Sequence, residues 1–200
     1  MSKTVRLIVF IAALSAVSIV TNVFSIILVG SYSITFNYTI SFIAGIFLGP
    51  IGGLSVGIVG DVLGHLISPK GTFNPFIFAS SGLIGLIPGL VFKFIKIKSD
   101  FVKLLISYFA CFVICTAFLN TYGLYLLVHL ANPDITHKTF WAYFVGRVPG
   151  QSIVVIVNFA LTFFVMHVEA IKKFFLFMHT PEPKKDKANE ATKEVQNTSE

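Results

Sequence analysis

The chain has 200 residues, of which 55% are hydrophobic and 12% charged, with 22 Phe and a formal net charge of +6. Together with a mean hydropathy of +0.84, this places it among membrane proteins rather than soluble domains. The bases flank apolar runs instead of forming a stripe on a polar face, which excludes nucleic acid as a partner.

Lys3 and Arg6 precede an apolar run from Leu7 to Val29, long enough to span a bilayer. A signal peptide has the same opening, but further apolar spans follow rather than a soluble domain, so the run reads as a first transmembrane helix. Ala12 and Ala16 are four apart and share a face suited to close helix contact, with the small residues Ala13 and Ser15 between them. Gly30 to Asn37 reads as a short polar loop.

Ile40 to Leu48 is a short apolar segment closed by Gly49-Pro50, and Ile51 to Ile67 follows. Gly45, Gly49, Gly53 and Gly57 recur every four residues, as do Gly60 and Gly64. The pattern predicts a tight helical hairpin with glycine faces. It is not a phosphate loop, which needs a preceding strand and a following Lys-Ser/Thr or ribose-binding acid. Ser68 to Pro75 is a turn, Phe76 to Phe92 a fourth span, Lys93 to Lys103 a basic loop, Leu104 to Leu130 a fifth span and Phe144 to Glu169 a sixth. Between the last two, Ala131 to Tyr143 is a polar loop with His137, Lys138 and Trp141. Six spans over 1–178 and a Lys/Glu-rich disordered tail over 179–200 are expected.

Both termini then share one side, which carries Lys3, Arg6, Lys93, Lys96, Lys98, Lys103, Lys172 and Lys173 against Lys70 and Lys138 opposite. The positive-inside rule makes the richer side cytoplasmic. Cys111 and Cys115 lie in an apolar stretch and read as buried small residues, neither disulfide nor metal site.

Polar groups are costly in hydrocarbon, so each asks for a reason. Arg147, Gln151 and Asn158 fall on one face of the sixth span. A cation and two amides there suit an anionic or amide-bearing ligand, since Arg forks onto a carboxylate; alternatively Arg147 snorkels to the interface. Asp61 and His65, four apart, suit a proton relay, a ligand contact or a structural pair. Asn120 lies deep in the fifth span, while Asn37, Tyr38 and Asn74 stand by the outer loops. All are candidate ligand contacts. No catalytic motif, third metal ligand or ATP site is present, so no catalytic residue, metal or cofactor is expected, and energy for transport must come from elsewhere. A membrane enzyme using Asp61 and His65 is the competing reading.

The stretches GIFLGPIGGLSVGIVGDVLGHLISPKGTFNP, SSGLIGLIPGLVF, FLNTYGLYLL and GRVPGQ resemble the substrate-binding S components of energy-coupling-factor (ECF) vitamin transporters, the folate-type branch in particular, over roughly Val5 to Glu169. The resemblance implies an all-α membrane protein with a six-helix bundle that binds a vitamin near its outer face. It also implies partners: a transmembrane scaffold subunit and two ATPases, with Ala12 and Ala16 matching the small-residue motif that docks on the scaffold. Folate binders of this type carry an Arg, a Gly and a Pro before the second helix, where this chain reads Ser33-Ile-Thr-Phe-Asn-Tyr-Thr-Ile40. They also read PGFT where this chain has Asn74-Pro75-Phe76-Ile77. One Arg and several Asn and Gln serve pantothenate, with one carboxylate, an amide and hydroxyls, better than dianionic folate. Pantothenate is therefore the first expectation and folate the second.

Overall fold

In a bilayer every backbone N–H and C=O must be satisfied inside the chain, and helices do this segment by segment. A computed structural model describes residues 3–24, 26–27, 33–34, 36–69, 72–131, 140–169, 171 and 173. It is built of α1 (Lys3–Val23), α2 (Asn37–Ile67), α3 (Pro75–Phe94), α4 (Asp100–Cys111), a π-helical stretch (Phe112–Asn120), α5 (Thr121–Ala131) and α6 (Phe140–His167). By length and apolarity five stretches can cross a membrane, with α4, the π stretch and α5 counted as one rod, Asp100–Leu130. The tail and the loop at 132–139 lie outside the described residues.

α1 stops at Val23, six residues short of the expected Val29. Ile26–Ile27 instead pairs antiparallel with Ser33–Ile34 in a two-residue ladder. β-branched residues are stiff in helices and favour strands, so the Ile pair gives up the last helical turns for an extended contact. α6 begins four residues earlier than the expected Phe144, so Trp141 sits in its exposed first turn rather than in a loop.

α2 is a hairpin. Gly49 takes φ 84 and ψ 179, a backbone conformation that essentially only glycine adopts. Pro50 follows, with φ preset for a helix start and no N–H to leave unpaired. A Cβ built on Gly53 would lie 2.5 Å from the Cα of Gly45, and one on Gly60 would lie 3.3 Å from Asn37 Oδ1. In a continuous helix those pairs would be about 12 and 35 Å apart along the axis. The limbs are therefore 37–48 and 50–67, folded side by side, with the turn where Gly49-Pro50 predicted it; with the limbs counted apart, the described residues form six helical rods.

α3 lies against both limbs through glycine. A side chain on Gly45 or Gly53 would overlap the carbonyl oxygen of Gly85, and a Cβ on Gly89 would sit 2.6 Å from Pro50 Cα. Such backbone contact is how membrane helices gain dispersion energy without a hydrophobic drive between them. Two apolar clusters complete the interior. Phe10, Ile43, Ala44, Leu48 and Val56 join α1 to the hairpin. Phe42, Ile84, Leu104, Tyr108, Cys111 and Cys115 join the hairpin and α3 to the α4 rod. Both cysteines are buried and free.

Candidate functional site

One end of the bundle holds a cavity of about 370 Å³. Each helical rod among the described residues contributes to it. α1 supplies Asn22; the first limb of α2 supplies Asn37, Tyr38 and Ser41; the second limb supplies Asp61 and His65. Ser68, Thr72 and Asn74 come from the segment that leads into α3, and Phe78 and Ser81 from α3 itself. Thr116 and Asn120 come from the π stretch, and Arg147 and Gln151 from α6. Two thirds of the residues lining it are polar. Apolar lining from residues such as Ile77, Leu124 and Val154 lies between these polar groups, the mix of apolar wall and placed polar groups usual in ligand pockets.

The polar walls are held in specific orientations. Asp61 Oδ1 accepts from Asn22 Nδ2 at 2.8 Å, and Oδ2 accepts from Ser81 Oγ at 2.7 Å. Asn37 Oδ1 accepts from Ser18 Oγ on α1. Asn120 Oδ1 accepts from Ser80 Oγ at 2.6 Å. Asn74 Oδ1 caps α3 by accepting from the Phe76 N–H at 3.1 Å, with Pro75 at the first helical position. His65 meets the face of Phe78 edge-on at 5.6 Å.

Other groups are left open. Five buried side-chain polar atoms have no hydrogen-bond partner among the described residues, and four belong to the cavity lining: Tyr38 OH, Asn74 Nδ2, Thr116 Oγ1 and Arg147 Nε. An orphaned buried donor or acceptor costs about 1–3 kcal/mol. All four belong to residues that line the one cavity. The π stretch places two lining residues, Thr116 and Asn120, and π insertions occur frequently at functional sites.

Of the nine residues singled out in the sequence for ligand contact, eight line this cavity: Arg147, Gln151, Asn120, Asn37, Tyr38, Asn74, Asp61 and His65. Asn158 does not. It is fully buried beneath the cavity, where its Oδ1 accepts from Thr39 at 2.9 Å and its Nδ2 donates to the Val154 carbonyl at 2.9 Å. Seven residues beyond Gln151 is two full turns deeper, so sharing a helical face did not mean sharing the cavity. Sequence reasoning missed Asn22, Ser41, Ser81 and Thr116. Asn22 had a signal, as the one amide in the first span, but the alanine stripe drew the reading of that helix. Ala12 and Ala16 lie exposed on the outer face of α1, away from the cavity.

The family model for the substrate-specific component of ECF transporters matches residues 6–166. The chain belongs to that family. Its fold is similar to that in the crystal structure of FolT bound with folic acid, with a TM-score of 0.64 over 84% of this chain and 95% of that one, at 21% identity. A comparison with curated protein sequences finds no match. Family membership makes the chain the substrate-specific component of a transporter. The expected all-α membrane fold is the fold found.

Proposed function

We propose that this subunit captures a compact carboxylate vitamin, pantothenate, for import by an ECF transporter. The observation that carries the reading is Arg147. It is the only Lys or Arg among the described lining residues, and its buried Nε has no partner. One fixed cation suits one carboxylate, and the remaining amides and hydroxyls match pantothenate's amide and hydroxyls. A volume of about 370 Å³ sits near the small end of ligand pockets, about 300–1,000 Å³.

A second reading has its own support. FolT, bound with folic acid, shares the fold, and Tyr38, His65 and Phe78 give this cavity aromatic faces for a flat ring. Folate is that alternative.

Uptake would draw on a transmembrane scaffold and two ATPases. The exposed Ala12 and Ala16 face of α1 offers the docking surface, and the count of basic residues supports cytoplasmic termini. The test is ligand identification on the purified subunit. The protein is denatured, extracted and analysed by mass spectrometry, then titrated with each vitamin by calorimetry. Stoichiometric pantothenate is the expected result. Retained folate establishes the second reading, and a subunit that binds neither vitamin overturns both.

A further inference from the structure

Asn22 is the one residue of α1 that lines the cavity. It is 9% exposed, and it approaches α2 only because Gly64 has no side chain: a Cβ there would lie 2.8 Å from Asn22 Cβ. From this position its Nδ2 reaches Asp61 Oδ1 at 2.8 Å, with the Gly60 carbonyl at 3.4 Å. The other carboxylate oxygen of Asp61 is held from α3 by Ser81 at 2.7 Å, and Ser81 lines the cavity too. An acidic side chain inside an apolar span is thus clamped between two donors from two other helices. Rotation about its χ angles is removed, and the carboxylate is presented to the cavity in one orientation.

We propose that Asn22 is a positioning residue for the ligand, acting through Asp61. The inference rests on the reading of the cavity as a vitamin site and adds to it. The hydroxyl-bearing part of the ligand meets Asp61, at the α1–α2 wall, while its carboxylate meets Arg147 on α6. The contacts on these two walls explain why a helix that packs mainly on the α2 hairpin carries a buried amide at cavity depth.

The experiment is a double-mutant cycle on the full subunit in detergent, with calorimetric titration of pantothenate and of folate. Asn22→Leu keeps the volume and removes the donor. It is expected to weaken binding about tenfold or more, the scale for hydrogen bonds to a charged group. In an Asp61→Asn background the same change should cost less than about threefold, because contacts that act through a shared partner are not additive. The empty variant should still elute as a monodisperse protein. If it does not, Asn22→Ser, too short to span to Asp61, serves the same cycle. An unchanged dissociation constant for Asn22→Leu overturns the proposal. So does an equal loss in both backgrounds, which would make Asn22 a packing residue of α1. A wild-type subunit that binds neither vitamin overturns the reading of the site along with it, a result distinct from binding that ignores Asn22.

Discussion

Replacing Arg147 with Met separates ligand recognition from structure. The guanidinium lies half-buried in the cavity wall with Nε unpartnered. In the empty protein that orphan is a cost of about 1–3 kcal/mol, so Arg147→Met relieves the free subunit rather than weakening it. In the complex the same change strips a vitamin carboxylate of its cation. Truncating one partner of a buried hydrogen-bonded charge pair costs about 2–5 kcal/mol, equivalent to roughly 30- to 5,000-fold in affinity. Calorimetry with pantothenate and folate reads the affinity, and differential scanning fluorimetry on the empty subunit reads the stability. The expected pair of results is a large loss of binding with a melting temperature equal to or above wild type. An unchanged dissociation constant would refute the ligand role and leave Arg147 snorkelling to the interface. A lowered melting temperature in the empty protein would show that the guanidinium supports the fold.

Other substitutions test the scaffold around the cavity. Asn158→Ala leaves the Thr39 hydroxyl without its acceptor in a fully buried site; it should lower stability by about 1–3 kcal/mol while changing ligand affinity far less than Arg147→Met, and the reverse order in the two assays would return Asn158 to the site. Gly85→Ala places a methyl group against the Gly53 carbonyl, so folded protein should be lost on size-exclusion chromatography; a wild-type profile would contradict the glycine contact. Gly49→Ala meets no neighbour within 4 Å and adds only backbone strain of about 1–3 kcal/mol, so it should give folded protein with a lower melting point. Ala16→Trp on the exposed face of α1 should abolish vitamin uptake in cells yet leave ligand binding by the purified subunit intact; loss of binding as well would argue against a docking role for that face.

The hairpin was legible because Gly49-Pro50 is local chemistry: one residue free to take positive φ, followed by one that begins a helix. The helix periods of the other spans were equally plain, since long apolar runs have one solution in a bilayer. The ladder of Ile26–Ile27 with Ser33–Ile34 was hidden, because an Ile pair continuing an apolar run reads as helix until its partner strand is known. Among site residues, amides and charges in apolar runs announced themselves. Serines did not: Ser80, Ser81 and Ser152 have the same sequence signal, yet Ser81 holds Asp61 while Ser152 only bonds back to the Val148 carbonyl within its own helix. A hydroxyl that can satisfy itself locally carries no information about its long-range partner. Asn158 misled for the complementary reason, since helical phase fixes a face but not a depth.

Around Asn158 the polar atoms lie beside a column of stacked rings. Phe42 stacks on Tyr108 at 4.0 Å between centroids, and Tyr38 stands 5.8 Å from Tyr108 on the same column. Beside that column, Tyr108 donates to the Asn158 carbonyl at 3.0 Å and lies 2.6 Å from the Thr162 hydroxyl, so the polar atoms there are consumed by one another. On residues that line the cavity, Tyr38 OH, Thr116 Oγ1, Asn74 Nδ2 and Arg147 Nε have no such partners. The stacked rings of Tyr38, Phe42 and Tyr108 join the first limb of α2 to α4. The same polar residue types therefore close a core around Asn158 and line the cavity elsewhere. What distinguishes the two is whether the packing brings a polar partner within reach, as it does for Asn158 and Thr39 and does not for Arg147 Nε.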